Sequence, residues 1–158
     1  MKNILLILAS VILCISCSSY HSIESFYDNH KNDPNASSFQ LPTFLKNAVK
    51  SISPELREIV GDVDDFRSIS FKDCSIAQDQ QITEELNSIT KNYKDVVRKN
   101  ENGKNISVSV KEKGNTIKEV ILHSQKNKDH YVMYLKGNFD TEKINRLAEA
   151  EDFESLGR

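Results

Sequence analysis

Apolar and polar positions alternate along this chain with periods that change from segment to segment, and each period predicts an element. Ser22-Ile23-Glu24-Ser25-Phe26-Tyr27 starts a short helix, which the Asn-, Asp- and Pro-rich stretch 29–35 must end. Ser37, Phe39 and Leu41 alternate with their neighbours as a first strand. Pro42 opens a helix at its first position with Phe44, Leu45, Ala48 and Val49 on one face. Ser53-Pro54-Glu55 opens another, with Leu56, Ile59 and Val60 facing inward and Gly61 as its stop. Phe66 to Phe71 reads as the second strand. Ile82, Leu86, Ile89, Tyr93 and Val96 recur at alternating steps of four and three, which draws one stripe along a single long helix closed at 100–103. Three strands follow, over Ile106 to Val110, Ile117 to Leu122 and Tyr131 to Leu135, and Phe139 to Glu142 leads into a last helix with Ile144, Leu147 and Ala148.

Register follows from the turns. A two-residue Asn127-Lys128 turn sets Leu122 opposite Met133, Val120 opposite Leu135 and Glu119 opposite Lys136, an opposite-charge pair. A plain two-residue loop at Gly114-Asn115 would set Val110 against Glu119 and send the apolar stripe to the wrong face, so a bulged turn with Gly114 at positive φ is expected. The predicted fold is α+β, a two-layer sandwich with a mainly antiparallel sheet of about five strands and helices packed on one face. The opposite face then carries Ile121, His123, Val132 and Tyr134, with Glu119 and Lys136 at its edge. Three large apolar side chains on a solvated face mark it as the candidate interaction surface, unless a terminal segment such as 153–156 folds back over it.

The N-terminus reads as an address. Met1-Lys2-Asn3 precedes an apolar run from Ile4 to Ile15 broken only by Ser10, the order of a secretory signal. The run is too short for the about 20 residues a membrane-crossing helix needs. Ser16-Cys17 after it resembles a bacterial lipobox, with Cys17 as the acylated first residue of the mature chain, although Cys14 stands where the pattern prefers Leu. The rival is ordinary cleavage after Ser18. The expected organisation is a signal peptide at 1–16, a lipid-anchored tether with the short helix at 17–35, one α+β domain at 36–148 and an acidic tail at 149–158. Serine after Cys17, with no early acidic cluster, points to the outer membrane facing the periplasm, and the membrane is reached through the N-terminal lipid.

Composition narrows the function classes. With 21 Lys+Arg against 23 Asp+Glu over 158 residues, the formal net charge is −2, and no block of like charge supplies the footprint of a nucleic-acid binder. Of 3 Cys, Cys14 leaves with the leader and Cys17 is acylated. Cys74 is left alone as a buried small hydrophobe at a strand end, the alternative being a reactive thiol.

The order of these elements, with Phe26-Tyr27 before an Asn/Asp-rich turn, the Ser-Phe-Gln-Leu-Pro strand, Arg-Ser-Ile-Ser-Phe and the Val-Lys-Glu-Lys-Gly-Asn-Thr-Ile-Lys-Glu hairpin, resembles the Bacteroidetes-type small lipoproteins grouped as domain of unknown function 4252. The likeness spans about Ser22 to Thr141. It implies a cell-envelope lipoprotein and brings no functional residues with it.

Candidate chemistry is sparse. His123 and His130 fall diagonally on one face and could share a zinc, but no third ligand and no H-E-x-x-H or C-x-x-C spacing accompanies them, so no metal and no cofactor is assigned. Asp62, Asp64 and Asp65 form the densest carboxylate group and read as a solvated turn rather than a calcium loop. No serine sits in a nucleophile motif, so no catalytic residue is assigned. The expected function is a non-catalytic binding or regulatory module with a protein partner in the envelope. The alternatives are a carrier of a lipid or other apolar ligand, marked by a deep pocket lined by Tyr93, Tyr131 and Met133, and a small hydrolase, marked by converging carboxylates or a His–carboxylate pair in a cleft.

Overall fold

A computed structural model describes residues 22–42, 63–142 and 144. The leader, Cys17, the two helices expected between Pro42 and Val60, and the last helix beyond Ile144 lie outside the described residues. Helix α1 spans Ile23–His30 and is capped by Ser22, whose Oγ accepts the Ser25 N–H at 3.1 Å. Strands β1 (Ala36–Gln40) and β2 (Val63–Phe71) precede helix α2 (Ile76–Thr90), capped in the same way by Ser75. Four strands then run consecutively: β3 (Lys94–Glu101), β4 (Lys104–Lys113), β5 (Thr116–Lys126) and β6 (Asp129–Phe139). All six strands form one antiparallel sheet in the order β1-β2-β6-β5-β4-β3. The class is therefore α+β, with one strand more than expected. Among the described residues no helix is long and apolar enough to cross a membrane.

The extra strand comes from the second half of the expected long helix. Its stripe is right as far as Ile89, and Ile82, Leu86 and Ile89 are buried. The helix then stops at Thr90, Tyr93 sits in the turn, and Val96 lies on edge strand β3. Asn102 (φ +52°) and Gly103 (φ +74°) explain why: the pair adopts the positive φ values of a tight hairpin turn between β3 and β4, so it is a turn and not a helix stop. A bulge between Asp95 and Val97 throws Val96 outward on an edge otherwise guarded by Lys94 and Lys99.

The β5–β6 register is the expected one, with Leu122 opposite Met133, Val120 opposite Leu135 and Glu119 opposite Lys136. At Gly114 (φ +64°) the loop itself has two residues. The bulge lies a step further on, between Lys111 and Glu112, and returns Val110 to Val120 and Val108 to Leu122.

Both faces of this sheet are cores, which overturns the expected single covered face. One cluster joins Val63, Phe66, Val108, Val110, Val120, Leu122, Met133, Leu135 and Ile144. The other joins Ile69, Phe71, Ile121, Val132 and Tyr134 to Ile23, Phe26 and Tyr27 of α1 and Ile82, Leu86 and Ile89 of α2. The stripe of α2 is thus core. Leu86→Ala or Ile89→Ala is expected to cost about 2–5 kcal/mol in chemical denaturation. A loss below about 0.5 kcal/mol in both would show that the stripe packs on nothing.

Candidate functional site

The helix-covered face of the sheet carries a chain of polar side chains where α2 begins. Asp79 lies in the first turn of α2, and His130 opens β6 directly opposite Gln125 of β5. Asp79 Oδ1 lies 2.8 Å from His130 Nε2 and accepts a second bond from Gln125 Nε2 at 2.9 Å. His130 Nδ1 lies 3.1 Å from His123 Nε2, with the two rings parallel to within 2°. A carboxylate only accepts, so His130 donates from Nε2, and in a neutral ring its bare Nδ1 accepts from His123 Nε2–H. His123 is left with an unprotonated Nδ1. Burial, with the neighbouring His130 ring, outweighs the attraction of Asp79 and lowers the His123 pKa to about 4, so the imidazole is neutral at pH 7.

His123 forms part of a cleft of about 410 Å³ between α2 and strands β3, β4 and β5. The other walls are Thr83 and Asn87 from α2, Asn100 and Asn105 from the hairpin, and Ser107 and Gln125 from the sheet, with Arg98 and Lys99 also lining it. Ile106 lines it as well, and six of these side chains carry an amide or a hydroxyl, so the cleft offers donors and acceptors in directions fixed by a rigid sheet and a packed helix.

Two further polar groups on this face tie elements together. His30 Nδ1 lies 2.8 Å from Asp33 Oδ2 and its Nε2 lies 2.9 Å from Glu85 Oε2, joining the end of α1 to the middle of α2. Burial works against a charged His30 ring, but the two carboxylates outweigh it and hold its pKa above the usual value. Tyr134 donates to Glu24 Oε1 at 3.1 Å, and Tyr93 donates to Glu119. Burial, reinforced by these carboxylates, pushes both phenols up, so they are neutral donors at all ordinary pH.

The candidate interaction surface is not a surface. Ile121, Val132 and Tyr134 are no more than 2 % exposed beneath α1 and α2, and of the four residues His123 is the one that lines the cleft beside α2. The unbroken apolar runs Val120-Ile121-Leu122 and Tyr131 to Leu135 were the signal: a strand buried on both faces has no polar alternation to show.

His123 and His130, which the sequence placed on one face without assigning them a metal, bond to each other, and both nitrogens of His130 are engaged by His123 and Asp79. Among the described residues no group of three His, Cys, Asp or Glu side chains converges as metal ligands. Asp64 and Asp65 stand on β2 rather than in a turn, where Asp65 pairs with Arg67 at 2.9 Å. Tyr93 packs on the helix face while Tyr131 and Met133 belong to the opposite cluster, so the pocket that would mark a carrier does not form from them. Cys74 is buried, and burial raises its pKa, as expected of an inert thiol. Sequence reasoning missed Asp79, because its link to His130 is made across 51 residues and no local spacing announces it.

The sequence model of the family described as Domain of unknown function (DUF4252) matches residues 27–147. The chain belongs to this family. The match runs from within α1 past the end of β6, so this DUF4252 domain contains Asp79, His123, His130 and the whole lining of the cleft, while Cys17 lies outside the matched region. No curated protein and no solved structure matches the chain.

Proposed function

We propose that this DUF4252 chain is a non-catalytic binding module of the bacterial cell envelope. Lipidated Cys17 anchors it to the outer membrane, facing the periplasm, and it engages a polar segment of a protein partner through the cleft between α2 and β3–β5. The observation that carries the reading is the cleft itself: an amide- and hydroxyl-rich recess whose imidazole, His123, is held neutral chiefly by burial and oriented by its bond to His130, which Asp79 holds in turn. Fixed hydrogen-bonding groups recognise a polar partner by direction, because a partner that leaves them unpaired loses their full desolvation cost. The N-terminal address supports the location, since the acyl chains of a lipobox cysteine anchor a protein without help from its fold.

A hydrolase has one observation in its favour, since His130 and Asp79 are a His–carboxylate pair beside a cleft. Against it, a base with a pKa near 4 is poorly matched to neutral pH. Among the described residues no hydroxyl or thiol is hydrogen-bonded to His123.

Two measurements test the binding reading. Fatty-acid labelling is expected on the wild type and absent from Cys17→Ala, and label retained in that variant rejects the anchor. A photo-crosslinking residue at Asn87, on the cleft wall, should capture one envelope protein that the same residue at exposed Ile76 does not. Filling the cleft with Asn105→Trp should abolish that capture without moving the melting temperature. Capture that survives the tryptophan, or equal capture from Ile76, overturns the cleft as the binding site.

A further inference from the structure

The two edges of the sheet are built differently. Strand β3 guards its edge with Lys94, Arg98, Lys99 and a bulge, devices that discourage another strand from pairing there. Strand β1, at the other end of the sheet, is Ala36-Ser37-Ser38-Phe39-Gln40, with no charge, no proline and no break in its register with β2. Residues 37 to 40 are all exposed. Phe39 is 41 % exposed, one of three large apolar side chains left open among the described residues, and its ring meets Phe66 edge-on at 5.9 Å.

The hydrogen-bond phase of β1 decides what this edge can take. Leu41 N–H donates to Phe66 O at 3.0 Å and Asn35 O accepts from Lys72 N–H at 3.1 Å, so the odd-numbered residues turn their main-chain groups toward β2. Ala36, Ser38 and Gln40 therefore turn theirs away from the sheet. The Ala36 N–H is already held by Asp33 O at 3.0 Å, and the Ser38 hydroxyl donates back to Lys31 O at 3.3 Å. The outward groups that remain are the Ala36 C=O and the N–H and C=O of Ser38 and Gln40. Among the described residues no main-chain bond reaches them.

This set is self-complementary about Ser38. In a two-fold antiparallel pairing centred there, the two Ser38 residues exchange N–H···O=C bonds in both directions, and each Gln40 N–H meets the other copy's Ala36 C=O. The donor that would complete the ladder toward Gln40 C=O is the Ala36 N–H, which Asp33 holds, so the ladder ends there and leaves that carbonyl to water. Ser37 falls opposite the other copy's Phe39, which makes the two Phe39 rings diagonal neighbours within aromatic reach. A two-fold axis also sets like residues close to like, so a charged strand would repel itself. Strand β1 has no charge to repel.

We propose that β1 is a homotypic interface, through which two copies of this chain join edge to edge by antiparallel β1–β1 pairing centred on Ser38. The contact uses the same patch on both copies and closes on itself, and the guarded β3 edges stand at the outer ends of the joined sheet, so the product is a dimer and not a filament. The cleft between α2 and β3–β5 lies toward that outer end, so both clefts stay open and the pairing does not depend on what they bind. A five-residue strand makes a short ladder, and the expected dissociation constant is roughly 1–100 μM.

The test is sedimentation velocity of the full chain in a density-matched detergent with micelles in excess, over about 1–200 μM. The wild type should pass from monomer to dimer. Ser38→Lys and Ser38→Glu each set like charges across the axis and should weaken dimerisation roughly fivefold, the upper end for a directly opposed pair. An equimolar mixture of the two variants should recover the dimer, because opposite charges then face each other. Ser38→Pro deletes the donor that crosses the axis while sparing every β1–β2 bond, so it should abolish the dimer and leave the circular dichroism spectrum unchanged. Val96→Lys, on the opposite edge strand, should leave dimerisation as in the wild type. A wild type that stays monomeric throughout the range overturns the proposal. So does a dimer that survives Ser38→Pro, that is lost in Val96→Lys, or that the mixture of Lys and Glu variants fails to restore.

Discussion

Val132→Lys combined with Tyr134→Lys should abolish cooperative unfolding of this domain rather than alter its surface. Both side chains are 2 % exposed, and they pack under Ile23, Phe26 and Tyr27 of α1. Glu24, the acceptor of the Tyr134 hydroxyl, offers a carboxylate to an ammonium at position 134, so the penalty falls mainly on the ammonium introduced in place of Val132, which the apolar cluster surrounds. An unpaired charge in such a place costs several kcal/mol, and losing the packing of Val and Tyr adds to it. The sum approaches the whole stability of an ordinary domain, about 5–15 kcal/mol. Urea titration followed by circular dichroism measures it. Ile121→Ala is the milder companion, expected to cost about 2–5 kcal/mol while the domain still folds. If the double lysine variant loses less than about 1 kcal/mol, α1 and α2 do not cover this face, and the cleft beside His123 loses its roof.

The same residues show what the sequence by itself reveals and what it hides. Register was legible where turn chemistry is local: the Asn127-Lys128 hairpin fixes its own pairing, and Gly114 takes the positive φ that its loop demands. The stripe on α2 was legible because period 3.6 is strong over Ile82 to Ile89. It misled beyond Thr90 because Tyr93 and Val96 continue the spacing by coincidence. The Asn102-Gly103 turn and the adjacent β-branched Val96-Val97 are the competing signals, and they prevail in the fold. Sidedness was not legible. Period-2 reasoning assigns one face to the core and leaves the other to solvent, but β5 and β6 are apolar on both, so either face could take the helices. The polar chain from Asp79 to His123 was half legible. The hairpin placed the two histidines together, while their carboxylate arrives from a helix whose docking face the sequence did not specify.

Stability should fall away on both sides of pH 6–7, through two different histidines. For His123 the folded pKa, about 4, lies below the unfolded value near 6.5. Between those values the unfolded chain takes up a proton that the folded one refuses, so the stability His123 contributes at neutral pH is lost as pH falls. At about 1.4 kcal/mol per pH unit the loss reaches roughly 2–3 kcal/mol by about pH 4.5. That window opens above the range in which Glu24, Asp28, Asp95 and Asp129, all held below their usual values by hydrogen bonds and cations, begin to take up protons. His30 runs the other way. Its folded pKa is raised by Asp33 and Glu85, so its contribution is complete below about pH 6.5 and is lost as pH rises through the folded value. Unfolding free energies from urea titrations at half-unit steps from pH 4.5 to 9 resolve the two flanks. His123→Asn should flatten the acidic flank and leave the alkaline one, whereas His30→Gln should flatten the alkaline flank and leave the acidic one. Glu85→Gln separates charge from packing at the second site: it retains a hydrogen-bonding group of the same size and, with Asp33 still beside the ring, should reproduce part of the flattening of His30→Gln. An acidic slope unchanged by His123→Asn would mean that the imidazole titrates freely in the folded protein. The tautomer chain that leaves His123 Nδ1 bare would then have to be abandoned.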